Sequence, residues 1–384
     1  MAYRTTMTGS WFRPKEVLDL LAKSPTGEIG PEHSKVYLEA ERQAIREQLH
    51  PLGSPLGLDE VSNGGERIAG YTNFLPNRFE GFSKTERTAM PMTPEIIQEF
   101  VESNPAMAAQ LQTTAALFSM PKIVAPLKYT GQERAAREAQ DAVRLAKEEG
   151  AQSVFLPSPS PGVITIFYPR NTEVYPTHLG YLQALTKELR KEYEAILGVP
   201  GAILQIDAPD LAMGKQTATG WGMEHYEAVP HHVNAINEAL RGFPPERVRV
   251  HYCYGNYAAS HQSDADFAKL LPELTRLKAA AIVGELANPH HEGDLLVIQQ
   301  YAKDHGWPAH LAFVGGVIDV KTPIVETPRT VKFRLDQLAA AVGPGNTWGG
   351  TDCGFETFAS MNGVTHPVAL QKLRALAEGA HLSS

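Results

Sequence analysis

A strand that breaks into a polar, often glycine-bearing loop and is followed by a helix recurs along the chain, and this repeat restricts the fold more than any other feature. Nine stretches carry it, at residues 3–10, 56–67, 123–127, 153–162, 202–210, 249–256, 281–285, 310–318 and 347–355. Helical periodicity fills the intervals. Residues 34–49 are amphipathic, a helix from Gln132 starts behind Thr130 as its cap and closes at Gly150, and Leu179, Leu182, Leu185, Leu189 and Tyr193 mark one helix face by three-and-four spacing. Alternating β and α units imply a parallel sheet, and polar residues gathered at the C-terminal ends of strands imply a (β/α)8 barrel, an α/β TIM barrel. Eight places cannot hold nine candidates, so one of the early stretches lies outside. A doubly wound open sheet is disfavoured, because no Gly-x-Gly-x-x-Gly loop follows a strand. Residues 1–384 are expected to form a single barrel domain, with an excursion around 68–120 that covers one end of the fold.

The chemistry is concentrated at strand ends. If residues 249–253 are a strand, side chains alternate, so Arg249, His251 and Cys253 share one face while Val248, Val250 and Tyr252 take the other. His251, Cys253, Glu285 and Cys353 all fall where strands end, and two thiolates, an imidazole and a carboxylate can converge on a tetrahedral zinc ion. Two other readings stand beside it. The cysteines can be small buried residues of unrelated strands, or one can be a catalytic nucleophile paired with a histidine.

Composition removes several function classes. The net charge is −8 and no basic run occurs, which argues against a nucleic-acid partner. No apolar run approaches membrane-span length, and the N-terminus lacks the pattern of a signal peptide, so a cytoplasmic location is expected. With only two cysteines, thiol or metal chemistry is favoured over a disulfide. The partners are then small molecules, and a homo-oligomer is compatible with everything above.

His251-x-Cys253, the strand-end Glu285 and Asp352-Cys353-Gly354 resemble the zinc ligands of cobalamin-independent methionine synthase and its relatives, which include epoxyalkane:coenzyme M transferase. The resemblance extends over most of the chain, to Gly9-Ser10, Gly65-Glu66-Arg67, Gln205-Ile206-Asp207, Ala287-Asn288-Pro289-His290-His291 and Glu378-Gly379-Ala380. It implies the barrel of the methionine synthase and uroporphyrinogen decarboxylase type, and a zinc-dependent thiol alkyltransferase. Zinc held by His251, Cys253, Glu285 and Cys353 would bind the acceptor thiol, homocysteine in the synthases, for transfer of a methyl or other alkyl group. Ser10, Glu66 and Asp207 would hold the amino-acid part of that acceptor, with Arg67 and His290 as further substrate contacts. Lys321 stands where the two-domain synthases carry a histidine credited with proton delivery, and it is paired here with Asp207 as a catalytic candidate. The alternatives are thiol addition to an epoxide, which would place a sulfonate near Arg13, Arg67 or Lys321, and a non-catalytic zinc-binding or decarboxylase-like barrel.

Overall fold

A computed structural model of the protein describes residues 2–382 apart from 25, 107–108, 110–117 and 218–219; part of the 68–120 excursion therefore lies outside the described residues. Ten strands occur in chain order: β1 Arg4–Thr5, β2 Glu60–Ser62, β3 Phe79–Ala89, β4 Ser119–Tyr129, β5 Ser153–Pro159, β6 Ala202–Asp207, β7 Val248–His251, β8 Ala281–Glu285, β9 Ala312–Ile318 and β10 Thr347–Thr351. Eight of them form one sheet in the order β1-β10-β9-β8-β7-β6-β5-β2, and every pairing within it is parallel. The two end strands meet. The Asp59 amide donates to the Thr5 carbonyl at 3.1 Å, the Asp59 carboxylate accepts from the Thr5 amide at 2.7 Å, and the Ser62 hydroxyl donates to the Gly9 carbonyl. The sheet is a nearly closed eight-stranded barrel with helices between its strands.

The strand candidate left outside is the one at 123–127. It belongs to β4, which pairs antiparallel with β3 as a separate two-stranded ribbon. The difference is physical. Barrel strands are covered on both faces, and β9 is buried at all seven positions. In β4, Ile123 and Leu127 are buried while Lys122, Val124 and Lys128 are exposed, which is the alternation of a half-solvated ribbon. Thr130 does not cap the helix Gln132–Glu148; Gly131 occupies the N-cap, and the Thr130 hydroxyl donates to the Arg78 carbonyl instead.

Inside the barrel, Arg249 projects from β7 to the opposite wall. Its guanidinium donates to Glu60 at 2.6 Å, to the Thr6 hydroxyl at 2.9 Å and to the Met7 carbonyl at 2.7 Å, and it lies 3.9 Å over the Phe155 ring. A buried charge is tolerable only when so paired, and this one fixes β1, β2, β5 and β7 to one another. His251, two residues on, points to the same interior nearer the C-terminal ends of the strands. Helices restart from capped loops there: the Ser160 hydroxyl accepts from the Val163 amide at 2.9 Å, and Thr327 accepts from Thr330 at 3.2 Å. No helix among the described residues is long and apolar enough to cross a membrane.

Candidate metal centre

Two loops just beyond strand ends carry the cysteines. Cys253 follows β7 and Cys353 follows β10, and Asn256 ties the loops together by donating to the Gly354 carbonyl and the Thr357 hydroxyl, both at 2.8 Å. The sulfurs stand 3.7 Å apart, and the Cys353 sulfur is 3.9 Å from Nε2 of His251. All three ligand atoms lie within 4.8 Å of one another, and all three residues are buried. Two sulfurs each about 2.3 Å from a zinc ion at a tetrahedral angle would be about 3.8 Å apart, so the sulfur pair already has the spacing such an ion would need. His251 is oriented for this: Nδ1 lies 3.2 Å from the Val283 carbonyl, which selects the tautomer that leaves Nε2 free to ligate.

The electrostatics match a pair of sulfurs sharing one proton. The hydrogen bond between them holds Cys353 well below the usual thiol range and, together with burial, pushes Cys253 well above it. Burial alone would lower His251, but the adjacent Cys353 sulfur carries it above its ordinary value. The Gly255 amide donates to the Cys253 sulfur at 3.2 Å. A divalent cation would take the place of these protons.

Glu285 stands against the cluster with its oxygens divided. Oε1 is 3.6 Å from the Cys253 sulfur, while Oε2 accepts from the Lys321 ammonium. Burial favours the neutral acid, yet the Lys321 charge brings Glu285 below the usual carboxylate range, and Glu285 in turn holds the Lys321 proton more tightly than an ordinary lysine does. The loop after β8 is anchored by Asp352, whose carboxylate accepts the amides of Leu286, Ala287 and Asn288 at 3.0, 2.9 and 2.8 Å. Gly316 makes room for this, since a Cβ there would lie 2.3 Å from Asp352 Oδ1.

The cluster opens into a cavity of about 560 Å³ whose wall includes Ser10, Asp207, His251, Cys253, Lys321 and Cys353. Ser10 is packed so closely on the Cys353 loop that a Cβ on Gly354 would lie 1.8 Å from its hydroxyl. Asp207 ends β6, accepts from Gln205 at 2.7 Å, and is raised by burial to about 6. Glu66 is fully buried with both carboxylate oxygens unpartnered, and burial pushes it well above the carboxylate range. An orphaned buried acid of this kind awaits a donor. Its loop is held by Arg13, which donates to the carbonyls of Gly65 and Ile68 and pairs with Glu356 at 3.1 Å.

Three expected substrate contacts do not line this wall: Glu66, which is wholly buried, Arg67 and His290. Arg67 is bound by Glu41 and Asp141 at 2.7 and 3.0 Å and lies over the Tyr37 ring. His290 is exposed, because the turn after β8 directs the next residue inward. That residue, His291, joins a cluster the sequence reading did not identify. Its Nε2 and His261 Nδ1 both lie 2.8 Å from Asp264 Oδ2, its Nδ1 lies 2.8 Å from Asp294, and its ring stacks on Tyr254. Burial opposes the charged form, but Asp264 and Asp294 raise His291 to about 9. The spacing His261-x-x-Asp264 was the available signal.

No protein-family model matches the chain. Among curated proteins it is 26% identical over 195 residues to the methionine synthase of Saccharolobus solfataricus, a match covering 51% of this chain and 48% of that one. The match thus spans about half the length of that relative. It is 23% identical over 388 residues to the methionine synthase of Sulfurisphaera tokodaii, covering 98% of this chain and 91% of that one. Among solved structures, a B12-independent methionine synthase from Shewanella sp. W3-18-1, in complex with selenomethionine, superposes with a TM-score of 0.67 at 19% identity, covering 99% of this chain and 97% of the other. A putative vitamin-B12-independent methionine synthase from Listeria monocytogenes gives 0.63 at 18% identity, with 97% and 95% covered. These two structural likenesses establish the barrel fold.

Proposed function

The chain is a relative of the cobalamin-independent methionine synthase family, and on that premise we propose that it is a cytoplasmic, zinc-dependent enzyme that transfers a methyl group to the thiol of homocysteine. The observation that carries the reading is the His251, Cys253 and Cys353 cluster, with ligand atoms within 4.8 Å, on the wall of a cavity that also holds Asp207 and Ser10. A soft set of two sulfurs and one imidazole suits zinc, which when bound supplies a cation that lets the acceptor thiol lose its proton at neutral pH.

The remaining work falls to the chain itself. Asp207 is the carboxylate on this wall, among the described residues, able to receive the acceptor's ammonium. Ser10, wedged against Gly354, offers its hydroxyl to the other end of the amino-acid group. Lys321 holds Glu285 by one oxygen, so Glu285 is a fourth ligand in reserve, available when that ion pair loosens. Lys321 is therefore a positioning residue in this reading; a lysine so firmly protonated is a poor proton donor.

Addition of coenzyme M to an epoxide is disfavoured by charge. A sulfonate needs a free cation, and Arg13, Arg67 and Lys321 are each committed to a carboxylate. The test is a thiol-consumption screen of the zinc-loaded protein with homocysteine or coenzyme M against methyl-folate, methylcobalamin, trimethylsulfonium and epoxypropane. Methionine formation from homocysteine supports the proposal; consumption of coenzyme M alone contradicts it.

A further inference from the structure

The charges lining the cavity restrict what it can hold. Arg13 and Lys321 are the cationic side chains among the described residues that line it. Neither is free: Arg13 is spent on Glu356 and on the carbonyls of Gly65, Ile68 and Glu356, and Lys321 on Glu285. The acid on this wall, among the described residues, is Asp207.

The cavity that the sulfurs line is also lined by a group of aromatic rings. Tyr71 lies 5.4 Å from Phe167 and 5.5 Å from Phe358, and Phe358 lies 5.0 Å from Phe118, all measured between ring centres. All four rings line the cavity. Aromatic faces attract cations, most strongly where water is excluded, and repel carboxylates and sulfonates. With Asp207 given to the acceptor's ammonium, the rings and the lack of an uncommitted cation among the described lining residues leave a surface for a positively charged ligand.

We propose that the methyl donor is an onium compound, a sulfonium or quaternary ammonium ion, seated on Tyr71, Phe118, Phe167 and Phe358. This rests on the reading of the cluster as a thiol-activating zinc site. In the step, the acceptor's thiolate sulfur attacks a methyl carbon of the donor and a new S–C bond forms. The C–S or C–N bond to the onium centre breaks, its electron pair stays on the departing heteroatom, and a neutral thioether or tertiary amine leaves. No proton is transferred in this step. An anion and a cation become two neutral molecules, so the water-poor aromatic wall favours the charge-dispersed transition state over the separated ions.

The test uses the zinc-loaded full chain and three probes of similar size: choline, its neutral isostere 3,3-dimethylbutan-1-ol, and the anion isethionate. Calorimetric titration should show choline binding at least tenfold more tightly than the alcohol and no saturable binding of isethionate. Phe358→Leu and, as a second variant on the cavity rim, Phe118→Leu should each weaken choline at least fivefold at unchanged zinc content. Trimethylsulfonium with homocysteine should release dimethyl sulfide mole for mole with methionine, and a tetraalkylammonium donor would release a tertiary amine instead, which separates the two sources. Equal binding of choline and the alcohol, tighter binding of isethionate, or no transfer from either onium class overturns the proposal. Failure of the zinc reading is read separately, as absence of zinc from the wild-type protein.

Discussion

Replacing Lys321 by methionine should damage the metal-free protein and largely spare the zinc-loaded one. The substitution keeps the length of the side chain and removes its charge, leaving Glu285, fully buried, without the ammonium that now holds one oxygen. Breaking a buried ion pair from one side costs about 3–5 kcal/mol. Unfolding entropy of about 2.1 cal/mol/K per residue gives roughly 0.8 kcal/mol/K for a chain of this length, so the metal-free melting temperature should fall by roughly 4–6 °C. In the loaded protein the freed carboxylate, 3.6 Å from the Cys253 sulfur through its other oxygen, can turn to the metal. The stabilisation by zinc should therefore be larger in the variant than in the parent, and its zinc dissociation constant smaller. Calorimetric melts of both proteins, with and without zinc, measure all four states. An unchanged metal-free melting temperature, or an equal loss in the loaded state, would refute the reasoning.

Three further outcomes are expected. Asp207→Asn should raise the KM for homocysteine at least tenfold with a smaller effect on kcat, and because Asp207 takes up its proton at about 6, the wild-type KM should climb as pH falls through that value; a flat KM from pH 7 to 5.5 contradicts the assignment. Burial holds His178 at about 3 and His225 at about 4, so below about pH 6.5 the unfolded chain binds more protons than the folded one and stability falls with pH, by up to about 2 kcal/mol per unit. Urea midpoints at pH 7 and 5 check this, and His225→Phe should flatten the slope. Gly316→Ala, which would press a methyl group onto Asp352, should cost about 3 kcal/mol and lower zinc occupancy through the adjacent Cys353; a variant with wild-type melting and zinc content would show that the space at Gly316 is not needed.

The barrel was legible because each βα unit leaves two periods in the sequence, and the strand-end polar residues because a buried strand must shed them at its mouth. The misplaced strand was readable too: Lys122 and Lys128 in the stretch that became β4 sit badly in a wall covered on both faces. Its partner β3 was hidden, since an exposed ribbon such as Phe79–Ala89 has weak apolar alternation. At the site, His251, Cys253 and Cys353 emerged from residue type and place in the repeat, and the structure brings them together. Side-chain partnerships across distant strands were not readable. Lys321 was singled out only through the resemblance to the two-domain synthases, and its commitment to Glu285, 36 positions earlier, comes only from the closure of the barrel. Likewise one residue of turn geometry decides that His291 faces inward and His290 does not.

Zinc absorption spectroscopy combined with metal analysis of the purified protein tests the central claim most directly. The account predicts one zinc per chain with two sulfurs and one imidazole nitrogen in its shell, a third sulfur when homocysteine is added, and loss of the metal in both Cys253→Ser and Cys353→Ser. Stoichiometric zinc retained in both serine variants, or a shell without sulfur, would contradict it.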